Sequence, residues 1–167
     1  MRALALGIAM LPCIANADIE VRFIEGTPKD QFEIVNTADC DLGPATIEID
    51  MSESAGGLYF DTADGGTGIE EFQPFELVTG TTVLDHDVSD GSTSIQLNLG
   101  GLPSGDMVAF VIDVDDTLRH GSLGQSQVAG SEIAGTSVRV TLSDKIALGV
   151  IDNLNRGTVR ITNCARS

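Results

Sequence analysis

The chain has no tryptophan, one tyrosine and two histidines, and only 9 lysines and arginines stand against 25 aspartates and glutamates. Each shortage closes off a class of function. At a formal net charge of −16, nucleic acid and anionic membrane surfaces are disfavoured partners, because binding them takes a basic surface. With Tyr59 as the one tyrosine and no tryptophan, an aromatic platform for stacking sugars has little to be built from. A transition-metal centre would need both His86 and His120 to converge with a carboxylate, and both sit in Gly-, Ser- and Asp-rich sequence that reads as solvated loop. There is no GxSxG nucleophile elbow, no CxxC and no Cys/His cluster with zinc spacing. An apolar run of the roughly 20 residues needed for a spanning helix is also missing, so the chain is not expected to span a membrane.

The longest apolar stretch, Ala3–Ile14, follows Arg2 and precedes the small-x-small triplet Ala15-Asn16-Ala17. That order of charge, apolar run and cleavage site is the pattern of a secretory signal. Residues 1–17 are therefore read as a signal peptide and 18–167 as a single exported domain, periplasmic or extracellular, beginning near Asp18. Pro12 before Cys13 departs from the small residue that a lipid anchor at that cysteine needs. Cleavage removes Cys13 and leaves Cys40 and Cys164, an even count in an oxidising compartment. A disulfide between them is expected. It would close a loop over most of the mature chain and contribute about 2–4 kcal/mol.

Apolar residues alternate with polar ones through most of the mature chain, and 3.6-residue stripes are nearly absent. Ile19, Val21 and Phe23 set the pattern. Phe32 and Ile34 repeat it, as do Ile47, Ile49 and Met51, then Ile95, Leu97 and Leu99, then Val138, Val140 and Leu142, and finally Val159 and Ile161. Shorter strands are predicted at Gly57–Asp61, Phe75–Val83 and Ile146–Ile151, with a short helix over 144–153 as a weak competitor. Met107–Val114 has apolar residues at both parities and reads as a strand covered on both faces. Turn chemistry separates the strands, as at Asp64-Gly65-Gly66, Asp90-Gly91 and Pro103-Ser104-Gly105. The expected fold is all-β, a two-sheet antiparallel β-sandwich with Greek-key-like connections; a closed barrel is the alternative.

Asp113-Val114-Asp115-Asp116 closes the most apolar strand. Asp113 and Asp115 share parity, placing their Cα atoms roughly 6.6 Å apart on one face. Two such carboxylates repel each other unless a cation lies between them, and calcium, which takes six to eight oxygens in irregular geometry, suits acidic loops at one end of a sandwich. The candidate metal ligands are Asp113, Asp115, Asp116, Asp85, Asp87 and Glu132, with Asp61, Asp64 and Asp90 as further donors. A plainer reading has Asp113–Asp116 marking the strand's exit into solvent. Asp85-His86-Asp87 sets carboxylates beside an imidazole, an arrangement that can orient a metal ligand or a general base. No catalytic pair is singled out, since only a cleft with separated carboxyl pKa values would do so.

Several stretches together resemble bacterial secreted proteins similar to the aggregation factor core protein of marine sponges. They are Ile19–Gly26 with Pro28-Lys29-Asp30, Phe32–Asn36 through Cys40 to Thr46, Phe72–Leu77, Phe110–Thr117 and Gly130–Gly135. In sponges that factor is an extracellular, calcium-dependent adhesion proteoglycan. The resemblance implies a secreted, non-enzymatic β-sandwich, calcium-binding, acting in cell-surface or extracellular adhesion, with a protein or glycan partner at the surface. The alternatives are a carboxylate-dependent hydrolase of the periplasm or medium, and a soluble glycan-binding module.

Overall fold

The computed structural model describes residues 16–26, 29–68, 72–118, 128–143 and 145–162. Twelve strands follow one another along them. They are β1 (Asn16–Ile24), β2 (Asp30–Asn36), β3 (Ala45–Asp50), β4 (Tyr59–Phe60), β5 (Glu76–Thr79), β6 (Val83–Asp87), β7 (Ser94–Leu99), β8 (Met107–Ile112), β9 (Val114–Asp115), β10 (Ser137–Thr141), β11 (Ile146–Val150) and β12 (Arg156–Thr162). Ten of them form two five-stranded antiparallel sheets, ordered β12-β1-β2-β8-β5 and β11-β10-β3-β7-β6, and β4 pairs with β9 as a short separate ribbon. The result is the expected β-sandwich. Neighbours such as β2 and β8, or β3 and β7, are far apart in the chain, so the connections cross between sheets as in a Greek key.

The alternation seen in the sequence decides which face each sheet buries. Ile19, Val21, Phe32, Ile34, Val108, Phe110 and Ile112 point inward from the first sheet, and Ile47, Ile49, Ile95, Leu97, Val138 and Val140 from the second. Phe32 is opposite Phe110 across β2 and β8, their rings stacked with centroids 5.2 Å apart. Phe23 lies 5.1 Å from Phe32, Phe60 6.4 Å from it, and Phe75 5.1 Å from Phe110. Phe23, Phe32, Phe60 and Phe110 are buried in the core, and the partly buried Phe75 packs against it.

Two expectations need correction. The segment read as one strand over Phe75–Val83 is two, because Gly80 (φ 118°) turns the chain between β5 and β6. The Asp85-His86-Asp87 sequence is consequently strand, where a loop was expected. β6 pairs with β7 through Asp85↔Asn98 and His86↔Leu97, and the His86 ring stacks on Phe75 at 4.0 Å. The strand expected at Ile146–Ile151 is present as β11, with Ile146, Leu148 and Val150 exposed and Ala147 and Gly149 facing inward. Close approach to β12 explains this, since a Cβ on Gly149 would lie 2.6 Å from the Thr158 carbonyl oxygen.

The stacked pair gives a stability prediction. Phe32→Ala removes a fully buried ring with three aromatic neighbours and should cost about 3–5 kcal/mol in urea unfolding. A loss under about 1 kcal/mol would show that the ring cluster does not hold the sheets together.

Candidate functional site

One end of the sandwich gathers the strand ends that carry acid. β2 starts there at Asp30, β8 ends there opposite it, and the β4–β9 ribbon closes over it with Tyr59 beside Asp115 and Phe60 beside Val114. Backbone bonds tie the pieces together: Asp61 N–H donates to the Asp113 carbonyl at 3.2 Å, Asp113 N–H to Gln73 at 3.1 Å and Gly91 N–H to Phe60 at 2.8 Å. Gly56 accepts from Thr117 and donates to Glu132. Gly57 adopts φ 63°, and any side chain there would strike the Thr117 hydroxyl; glycine is what permits this approach.

Asp30, Asp61, Asp113, Asp115 and Asp116 are all buried at this end. Asp113–Asp116 thus do not mark an exit into solvent, and that plainer reading is corrected. Asp30 is 4 % exposed and accepts from the Gly26 amide at 3.0 Å. Burial pushes its pKa to about 7, with the neighbouring charges of Asp113 and Glu25 adding to the rise and the amides of Gly26 and Val114 opposing it. Burial likewise raises Asp116, whose Oδ1 accepts from the Leu118 amide. Tyr59 is pushed up to about 12, first by burial and then by Asp115, Asp61 and Asp116 around it.

Asp61 and Asp90 form a carboxyl pair with opposite tendencies. Asp90 accepts from the amides of Thr62 (3.0 Å), Ala63 (3.2 Å) and Thr67 (2.8 Å), which hold its pKa below the usual range. Asp61 is 2 % exposed and its pKa is raised, first by burial and then by the charge of Asp90 and a hydrogen bond to it. Of the two, Asp61 is the one whose surroundings favour its protonated form. Asp61 Oδ1 is buried without a hydrogen-bond partner. An acceptor in that state carries a desolvation cost that a cation or donor would relieve.

The expected ligands divide. Asp113, Asp115 and Asp116 are together at this end with Asp61 and Asp90, and Glu132 adjoins them through Gly56, its carboxylate accepting from the Ala129 amide. Asp85 and Asp87 are elsewhere: they share a face with Asn98 and Gln96 on the exposed side of the second sheet. Asp64 is exposed in a turn. Among the described residues no three His, Cys, Asp or Glu side chains converge as a ready-made metal centre. Cys40 is buried and disulfide-bonded; Cys164, His120 and residues 1–15, which include Cys13, lie outside the described residues. Asn16 and Ala17 belong to β1, opposite Thr162 and Ile161.

Asp30 was not among the expected residues, although the signal was there, since it shares parity with the buried Phe32 and Ile34. A hydrolase would need its acid pair in a cleft. Two of the cavities among the described residues, of about 320 and 350 Å³, open on the second sheet, away from these buried carboxyls. Comparison with family models, curated proteins and solved structures finds no match to this chain.

Asp30 predicts a falling pH profile. Its ordinary value is 3.8 and its folded value about 7, so the fold binds the proton more tightly than the unfolded chain does. Its contribution is complete below pH 3.8 and is lost as pH rises through about 7, by up to about 4 kcal/mol. In urea titrations Asp30→Asn should therefore be more stable than the wild type at pH 8, with a flatter decline between pH 4 and pH 8. Parallel profiles for the two proteins would refute the assignment.

Proposed function

We propose that this chain is an exported, non-enzymatic β-sandwich whose acidic end takes a divalent cation of the calcium class, and that it serves in interaction at the cell surface or in the extracellular medium. The observation that carries this is the burial of Asp30, Asp61, Asp113, Asp115 and Asp116 at one end, with Asp61 Oδ1 lacking a partner. Buried carboxyls on a chain of net charge −16 either hold protons or attract a cation, and calcium tolerates the irregular arrangement of oxygens found at such a loop cluster. Since no three described acidic side chains converge, uptake has to draw carboxylates together. The resemblance to aggregation factor-like secreted proteins points the same way.

Calcium-dependent melting tests the cation. At a concentration a hundredfold above Kd, binding adds about 2.7 kcal/mol, which for a domain of this size is a rise of roughly 5–10 °C. The rise should vanish in Asp113→Asn/Asp115→Asn. An unchanged midpoint in millimolar calcium removes the cation from this reading.

Export and the disulfide are read together. β1 and β12 pair from Asn16↔Thr162 onward, and the carbonyl of Asp18 accepts from Thr37 close to Cys40. Loss of the signal peptide would remove Cys13 and leave Cys164 as the partner of Cys40. Protein recovered from the periplasm or medium should begin near Asp18 and be two hydrogens lighter than its reduced form. Equal masses, or retention of residues 1–17, would contradict this.

A further inference from the structure

The outer face of the second sheet carries a feature that the cation reading does not use. Across β10, β3, β7 and β6, the pairs Arg139↔Glu48, Glu48↔Gln96 and Gln96↔Asp87 set four polar residues in a single row. Glu48 and Asp87 are two strands apart, about 9–10 Å between Cα atoms at ordinary sheet spacing, with Gln96 on the floor between them. Ser94 and Ser92 extend this floor toward the acidic end, and Ser89 and Val88 form its wall. All of these but Arg139 line a cavity of about 320 Å³, at the small end of the range for ligand sites.

The hydrogen-bonding groups of this cavity are partly committed and partly unused. Arg139 Nη1 donates to Glu48 Oε2 at 3.0 Å and fixes that carboxylate in the row. The Ser92 hydroxyl donates to the Ser94 carbonyl at 2.6 Å and accepts from the Ser94 amide at 3.1 Å. Among the described residues neither the Gln96 amide nor the Asp87 carboxylate is taken up by another side chain. The cavity thus presents acceptors on both flanks and, between them, an amide and hydroxyls that both donate and accept. Val88 is the one apolar contributor to the lining.

We infer that this groove binds a saccharide free of acidic groups, with Asp87 and Glu48 accepting from ring hydroxyls and Gln96 bridging them. A sugar hydroxyl donates and accepts at once, which suits a lining of acceptors beside mixed groups. Two carboxylates facing each other repel sulfated or carboxylated glycans. No aromatic ring lines the groove, so affinity rests on hydrogen bonds made in competition with water. Each is worth about 1 kcal/mol net, and a single site binds weakly; useful avidity would come from several copies on a surface.

The test is a titration of the ¹⁵N-labelled domain, in chelator, with glucose, galactose, mannose and N-acetylglucosamine, and with N-acetylneuraminic acid and a heparin disaccharide as acidic controls. Chelator keeps the outcome separate from the cation reading. At least one neutral sugar should give saturable shifts confined to β3, β6 and β7 at millimolar concentration. Gln96→Ala and Asp87→Asn, both at exposed positions, should melt like the wild type and each weaken that binding about tenfold. Absence of saturable shifts with every neutral sugar overturns the inference. So do shifts that map to the acidic end, undiminished binding in both variants, or preference for the acidic controls.

Discussion

The register of β2 against β8 is the constraint on which the rest of the molecule depends. Phe32 stacks on Phe110, and through those two rings Phe23, Phe60 and Phe75 become one cluster reaching from the first sheet to His86 on the edge of the second. Because side chains alternate faces, a slip of one residue would turn Phe32 and Ile34 to solvent and bring Gln31 and Glu33 inward. The same register places Asp30 opposite Ile112, immediately beside Asp113. The aromatic core and the acidic end are therefore set by one pairing. The carboxyls at that end are held out of water by the packing that buries the rings.

That coupling gives the acidic end its chemistry. In an exposed loop, five carboxylates on a chain this acidic would be solvated and screened. Burial raises the pKa of Asp30 to about 7 and raises that of Asp61, while Asp90, less buried beside Asp61, is held below the usual range by the amides that wrap it. Desolvation outweighs hydrogen bonding at Asp30, which accepts from only two amides, and loses to it at Asp90, which accepts from three. Carboxyls of the same type are shifted in opposite directions by the number of N–H groups each receives and the water each keeps.

Period-two alternation was enough to read the sandwich from Ile19, Phe32, Ile47, Ile95, Val138 and Val159, because strands with one buried face announce it residue by residue. The strand pair β5 and β6 was not legible in this way. Its side chains are largely exposed, Leu77, Val78 and Leu84 among them, so no alternation marked where one strand ended and the next began; the break depends on Gly80, where a Cβ would press on Val108. β11 was legible as a strand but not in its orientation, which close approach to β12 decides and no local pattern records. At the site, shared parity of Asp113 and Asp115 was a poor guide, because the strand breaks at Asp113 between β8 and β9 and Asp113, Val114, Asp115 and Asp116 are all buried. Their burial came from the β4–β9 ribbon, a long-range pairing of two residues from each strand that has no sequence signature.

The edge strands show how the two polar regions are kept apart. β5 and β6 each lose register against their neighbours, between Leu77 and Thr79 and between Val83 and Asp85. Such irregularities twist an edge and make it a poor template for further strand pairing. In β6 the irregularity has a second effect. Beyond it, His86 faces Leu97 and reaches the Phe75 ring, while Asp85 and Asp87 face Asn98 and Gln96 on the outside. A strand without that shift could not place a ring against the aromatic cluster and also put both flanking carboxylates in the outer row. The local sequence Asp-His-Asp, exposed throughout, is thus divided between two faces: its histidine stacks on Phe75 at the edge of the core, and Asp87 lines a groove on the opposite side of the sheet.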